Sequence, residues 1–301
     1  ILEVNEETGI MKVGKPKGIV AAVTPVTNPV VTPMCNAMFA IKGRNAIIIA
    51  PHPKTKKVNK YVVDSFRDIL VSLGAPADAI QTIEEPSLDL TDELMASVDV
   101  VIATGGGSMV KAAYSSGKPA LGVGPGNVQT ILDRDIDLEV EIPKVIAGRI
   151  FDNGIICSGE QSIIAPREQY DEIIDIFVKN GAFYVDNEED LAKFREAIFP
   201  GGGPISRKIV GQSVQTVAKL VGVAVPEGTK VIILKADKHG KEEQLCREKM
   251  CPCMVALKYD TFEDAVQIAK DNLLFEGAGH TTSLHSNNMD HIRYAGEVLP
   301  I

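Results

Sequence analysis

VDVVIATGGGSM, residues 98–109, reads as a strand, a turn and a helix start in immediate succession. Val98–Ala103 is a short apolar run without alternation, the pattern of a strand covered on both faces. Thr104-Gly105-Gly106-Gly107-Ser108-Met109 then turns the chain into a helix. Glycines let backbone approach a phosphate, and a helix N-terminus favours negative charge. The spacing is not the GxGxxG fingerprint, so a plain tight turn remains open. Ser115-Ser116-Gly117-Lys118 is a second polar turn close by, with the same two readings.

Similar apolar runs stand on either side: Ile19–Val23, Ala46–Ala50, Ile80–Ile83 and Pro119–Val123. Between them lie segments of helical period at Pro33–Ile41, Lys54–Leu73, Asp89–Ala96 and Met109–Ser116. Strand and helix alternating at this spacing predict βαβ units and a parallel sheet. Upstream, Leu2-Glu3-Val4 and Ile10-Met11-Lys12-Val13 flank a Gly-containing turn, which predicts a β-hairpin. Downstream, Gly122–Gly126 marks a boundary and a second α/β region follows. Its predicted strands are Ser162–Ala165, Phe183–Val185, Val231–Lys235, Met254–Tyr259 and His280–His285. Its predicted helices are Arg167–Asn180, Glu188–Ala197, Val214–Val221, Phe262–Asp271 and Met289–Ala295. The division is therefore a hairpin over 1–17, one α/β domain over 18–123 and a second over 124–301.

The whole composition agrees. At roughly 100–200 residues per domain, 301 residues suggest two domains. With 45% apolar and 24% charged residues, wholesale disorder and fibrous repeats are excluded. Net charge is −9, from 31 basic and 40 acidic side chains, which argues against a general nucleic-acid binder. No apolar run approaches the ~18 residues of a membrane span, and Ile1-Leu2-Glu3-Val4 has no signal-peptide character. Five cysteines, an odd number, fit a reduced cytoplasmic setting. The chain starts without Met and stops within the apolar Leu299-Pro300-Ile301, so it reads as an excerpt of a longer one.

Among residues that could carry chemistry, Cys157 stands apart. It lies among small and polar neighbours in Asn153-Gly154-Ile155-Ile156-Cys157-Ser158-Gly159-Glu160-Gln161. A nearby base or helix N-terminus would raise its thiolate fraction; packing is the alternative. Cys35 reads as core. Cys246, Cys251 and Cys253 lack ligand spacing, so no metal site is expected, and Cys251-Pro252-Cys253 leads into a strand. His280 follows Gly277-Ala278-Gly279 at a strand start, as a site residue or as a hydrogen-bonded strand end. His52 follows a buried strand, where ligands bind in parallel sheets or where the chain simply turns. Lys54, Lys56, Lys57 and Lys60 form a basic helix start, a solvated face or a phosphate seat.

Taken together, several stretches resemble the CoA-acylating group of the aldehyde dehydrogenase superfamily. They are Thr24-Pro25-Val26-Thr27-Asn28-Pro29, NAIIIAPHPKTKK (45–57), ATGGGSMVKAAYSSGKPALGVGPGN (103–127), FDNGIICSGEQ (151–161), EKMCP (248–252) and GAGHT (277–281). Within the group they are most similar to acylating succinate-semialdehyde dehydrogenases, with sulfoacetaldehyde and acetaldehyde enzymes as relatives. The resemblance implies an oligomerisation hairpin, a Rossmann-like domain for a nicotinamide cofactor and a catalytic domain. It implies a homodimer or higher homo-oligomer, free in the cytoplasm or within a bacterial microcompartment, with a small aldehyde and coenzyme A as substrates. It makes Cys157 the nucleophile, with Asn28 or Thr27 and the Cys157 N–H as oxyanion donors and His280 assisting proton transfer. Thr24, Pro25, His52, Lys54, Gly105, Gly106 and Glu248 would hold the cofactor.

Two departures carry chemistry. Acid-forming relatives have a Glu-Leu-Gly-Gly stretch whose glutamate activates water. Here the stretch is Leu121-Gly122-Val123-Gly124-Pro125-Gly126, with no carboxylate. Without that base, water attack on a thioester loses on the order of 10²–10⁴-fold, which favours transfer to coenzyme A. No acidic residue follows Ala46–Ala50 to bind a ribose 2′-OH, so NAD and NADP both stay open. The other readings are an acid-forming enzyme of the same fold and an inactive scaffold.

Overall fold

A computed structural model describes all 301 residues. They form two compact units, Ile1–Gly124 and Pro125–Ile301. No helix is long and apolar enough to cross a membrane.

The first unit opens on an antiparallel hairpin, β1 (Glu3–Asn5) and β2 (Ile10–Lys12), with Glu3 opposite Lys12. Every residue of both strands is exposed, including Val4, Ile10 and Met11. Then follow β3 (Ile19–Thr24), α1 (Val31–Lys42), β4 (Ala46–Pro51), α2 (Lys56–Ser72), β5 (Ile80–Thr82), α3 (Leu88–Ser97), β6 (Val100–Thr104), α4 (Gly107–Tyr114) and β7 (Ala120–Val123). The five strands are all parallel, in the order β5-β4-β3-β6-β7. The chain builds outward from β3 to β5, then returns to lay β6 on the other side of β3. That reversal makes the ends of β3 and β6 a topological switch point. Val23 is in register with Ala103, so Thr24 and Thr104 end the two strands side by side.

Side-chain alternation explains why β3 can sit in the middle. Ala21 and Val23 join Leu94, Met95, Val101 and Ala103 on one face. Val20 and Ala22 join Ala37, Ala40, Ile47, Ile49 and Val63 on the other. The alanines leave room for helices to pack on both faces. Cys35, expected in the core, is only half-buried in α1 because Asn36, Ala37 and Ala40 take the inward positions.

The second unit runs β8 (Gln129–Leu132), α5 (Leu138–Ile150), β9 (Ser162–Pro166), α6 (Tyr170–Lys179), β10 (Ala182–Val185), α7 (Glu188–Ile198), α8 (Val214–Val221), β11 (Val231–Lys235), β12 (Cys253–Tyr259), α9 (Phe262–Phe275), β13 (Thr282–His285) and α10 (Met289–Val298). Its six strands are parallel, in the order β10-β11-β12-β9-β8-β13. Ile164, Ile232, Leu234, Val255 and Leu257 face one core. Ile163, Ala165, Ile233, Met254 and Ala256 face the other. Each of the isoleucine, leucine, valine and methionine side chains contributes roughly 1.5–3 kcal/mol on burial. Thr261 and Asp264 form a full capping box, which seats α9.

Three differences from the sequence reading have clear causes. β8 and α5 had no predicted counterpart: Gln129 and Thr130 of β8 are polar yet fully buried, while Pro143 and the buried Arg149 interrupt the apolar face of α5. The last strand starts at Thr282 rather than His280, because Gly277 and Gly279 hold positive φ and keep His280 in a turn. β6 starts at Val100, since Asp99 is used instead to accept the N–H of Ile19.

Candidate active site

In the second unit, four loops arrive at the amino ends of adjacent strands. Gly126 precedes β8, Cys157 precedes β9, Glu248 precedes β12 and His280 precedes β13. The first three make one cradle. A Cβ on Gly126 would overlap the Cys157 carbonyl oxygen and stand 2.8 Å from its carbon and 3.0 Å from Cys157 Cβ. The Gly126 N–H donates to Glu248 Oε1 at 3.1 Å. Glycine is therefore required here by close backbone approach.

Cys157 sits half-buried at the tip of a turn entered through unusual backbone. Asp152 (φ 48°), Asn153 (φ 52°) and Gly154 (φ 70°) are successive left-handed residues. Asn153 tolerates this conformation better than most residues, and its Nδ2 is tied to Gly211 O at 3.2 Å. Burial pushes the Cys157 thiol up, and the Glu248 charge adds to it; the N–H groups of Cys157 and Ser158, directed at the sulfur, partly offset both. Burial likewise pushes the Glu248 carboxyl up to about 7, and the Gly126 hydrogen bond only tempers it. Burial thus shifts both groups toward their neutral forms.

A buried polar layer supports the cradle. Asn127 Nδ2 donates to the carbonyls of Cys246 (2.6 Å) and Glu276 (2.9 Å). Gln161 Oε1 accepts from the Lys249 N–H at 2.9 Å, and Lys249 Nζ donates to Leu245 O and Arg247 O. Gln129 Oε1 accepts from Ser162 and Asn272. The loop carrying His280 packs on this layer: a Cβ on Gly277 would stand 2.8 Å from Asn127 N. His280 Nδ1 is buried without a partner, and burial pushes its imidazole down. Cys246, Cys251 and Cys253 are all buried.

In the first unit, the candidate residues gather at the carboxyl ends of the strands. Thr24 closes β3, is 3% exposed and has a buried hydroxyl with no partner. Gly105 follows β6, and Gly106 caps α4. A Cβ on Gly106 or Gly107 would meet nothing within 4 Å, so open space lies over the first turn of α4. That turn carries N–H groups with no acceptor inside the helix. His52 caps the turn after β4, its Nδ1 accepting from the Lys54 N–H at 3.2 Å. Lys56 pairs with Glu85, and Lys60 with Asp64 and Glu84, while Lys54 is exposed and without an ion pair. Asn28 Oδ1 accepts from the Val31 N–H at 3.1 Å, which leaves its Nδ2 to donate elsewhere. Pro25 is half-buried, next to Thr24.

The aldehyde dehydrogenase family model matches residues 1–299. The chain belongs to that family. It is 60% identical over 301 residues to the succinate-semialdehyde dehydrogenase (acetylating) of Clostridium kluyveri, covering all of this chain and 66% of that protein. The probable aldehyde dehydrogenase of Listeria monocytogenes EGD-e superposes with a TM-score of 0.92 at 35% identity, over 99% of this chain and 66% of that one. A Rhodopseudomonas palustris propionaldehyde dehydrogenase, solved with bound CoA and an acylated cysteine, superposes with a TM-score of 0.83 at 29% identity, over 94% of this chain and 64% of that one. The chain therefore spans about two thirds of the length of the relatives it matches.

Of the expected residues in this family member, the second unit brings Cys157 and Glu248 to one cradle and the His280 loop onto the layer beneath. In the first unit, Thr24, Gly105 and Gly106 meet at the switch point. Arg149, Asn127, Gln161 and Lys249 were not singled out from the sequence. Their only sequence signal is a polar type at an inward position, visible once the inward face is known.

The Glu248 charge gives a pH-dependent prediction. Near pH 8 the Glu248 carboxyl is mostly ionised and opposes thiolate formation at Cys157. Glu248→Gln is expected to speed alkylation of Cys157 by iodoacetamide several-fold at pH 8. At pH 6, where the native carboxyl is mostly protonated, the two proteins should react alike. Equal rates at both pH values would show that the two groups do not interact.

Proposed function

We propose that this protein is a CoA-acylating aldehyde dehydrogenase, oxidising a small aldehyde, with succinate semialdehyde favoured, to its acyl-CoA. One observation carries the reading. The Cys157 backbone and Cβ lie against Gly126 with two N–H groups directed at the sulfur, in a chain whose Leu121–Gly126 stretch bears no carboxylate. Cys157, having lost its thiol proton to solvent, attacks the aldehyde carbon through Sγ; the C=O π bond breaks and the anion of a thiohemiacetal forms. The oxyanion accepts from the Cys157 N–H; one such donor contributes roughly 2.7–4 kcal/mol.

A nicotinamide cofactor, when bound, accepts the hydride. Two features of the first unit fit its pyrophosphate and ribose: the unpartnered Thr24 hydroxyl and the open space over Gly106 and Gly107. Gly105 and Gly106 would approach the phosphates, with Thr24, Pro25, His52 and Lys54 beside the rest. The exposed, unpaired Lys54 suits a 2′-phosphate, so NADP and NAD are both retained. Glu248 would hold the nicotinamide ribose.

The acyl group stays on Cys157 as a thioester. His280, whose Nδ1 has no partner, takes the proton from the coenzyme A thiol, and the thiolate displaces Cys157. The exposed apolar hairpin fits a second copy of the chain, because an isolated two-stranded sheet is marginal in water. The test is NAD(P)H absorbance at 340 nm in the intact protein with succinate semialdehyde. Turnover is expected only when coenzyme A is present. Equal turnover without it would favour an acid-forming enzyme, and none with any aldehyde would favour a scaffold.

A further inference from the structure

Arg149 ends α5 with its side chain fully buried, and no carboxylate pairs with it. Its partners are all backbone carbonyls. Nη1 donates to Glu160 O at 3.0 Å and Gly159 O at 3.4 Å, Nη2 to Gly154 O at 2.8 Å and to Cys251 O, and Nε to Cys251 O at 3.0 Å. Gly154 lies before Cys157 in the chain, and Gly159 and Glu160 lie after it. One guanidinium therefore grips both ends of the turn that presents the thiol and ties them to the segment leading into β12.

What it grips is strained. Asp152 and Asn153 hold left-handed backbone at one end of the network, and Met250 (φ 34°) does so beside Cys251. Such residues persist only where the surroundings over-determine them. Gly154 has no Cβ, and one placed there would collide with Arg149 Nη2 and stand 2.7 Å from Cys251 O. A buried, unpaired cation is costly, and a planar fork of five donors is the group able to hold several carbonyls at once. Lysine carries the same charge but offers its donors from a single atom.

We propose that Arg149 is the positioning residue of the nucleophile turn, its guanidinium forcing Gly154–Glu160 into the geometry that presents Cys157. This rests on Cys157 being the nucleophile. In the intact protein, Arg149→Lys is expected to lower kcat roughly 100-fold, the effect of a misplacement of about 1 Å. The KM for the nicotinamide cofactor should change far less than kcat, because Thr24, Gly105 and Gly106 of its proposed seat are untouched by the substitution, leaving only Glu248 near the gripped segment. Adding Asp152→Gly should restore much of kcat, since glycine takes the left-handed conformation unforced.

A lysine variant that melts lower but keeps wild-type kcat would overturn the proposal. So would a kcat loss that Asp152→Gly leaves untouched. If Arg149→Lys does not fold, Gly154→Ala displaces the same guanidinium from its other side. Lost kcat with a much smaller change in cofactor KM is again expected there, and wild-type kcat again overturns the proposal. Cys157→Ala, run alongside, separates the two ideas: turnover in that variant would remove the nucleophile assignment itself.

Discussion

Cys157→Ala is expected to leave no measurable turnover, a loss on the order of 10⁴-fold or more, since covalent catalysis has no partial form once the attacking atom is gone. The fold should be little affected. Cys157 is half-buried, and its thiol is held only by the N–H groups of its own residue and Ser158. A near-native melting temperature would therefore accompany the lost activity. Intact mass after incubation with an acyl-CoA alone gives a second readout. Attack of Cys157 Sγ on the acyl-CoA thioester carbonyl forms a new C–S bond and breaks the one to coenzyme A, which leaves as a thiolate and takes up a proton, so the native protein gains the acyl mass. The alanine variant should show no adduct. An adduct that persists would place the acyl group on another residue and end the assignment.

Gly126→Ala is the second large effect, and it arises without touching a reacting atom. The new methyl would overlap the Cys157 carbonyl oxygen and stand 2.8 Å from the carbonyl carbon. These are backbone atoms, with no flexible side chain to swing away. Either the Cys157 turn moves or the Gly126 segment does, and in both cases the Gly126 N–H leaves Glu248 Oε1. Overpacking of this kind costs typically 1–3 kcal/mol of stability, and a shift of about 1 Å at the thiol costs roughly 100-fold in rate. Thermal melting and kcat measured together should show both losses. Wild-type kcat in a folded alanine variant would mean that Gly126 does not govern the placement of Cys157.

Much of the first unit was legible because its signals are local. Ile47-Ile48-Ile49 must be covered on both faces wherever the chain goes, so a parallel-sheet strand follows from three consecutive residues. The glycines after Val98–Ala103 were equally readable, since a turn between strand and helix is a matter of a few dihedrals. β8 and α5 were not, because their inward faces carry Gln129, Thr130 and Arg149. A polar residue is read as outward until the groups that satisfy it are known.

The site divides along the same line. By itself, the sequence determined the residue types: a cysteine among small neighbours, a glutamate before a strand, a glycine-rich turn, and no carboxylate over Leu121–Gly126. These are facts of composition and order, and the family signature follows from them. Tertiary structure alone decided that Gly126 lies against the Cys157 carbonyl, that Glu248 reaches Gly126 across 122 residues of chain, and that Arg149 bridges Gly154, Glu160 and Cys251. The reason is physical. A strand or a turn is set by torsions and burial within a few residues, whereas a buried donor finds its acceptor only after the sheet has brought distant loops to one edge.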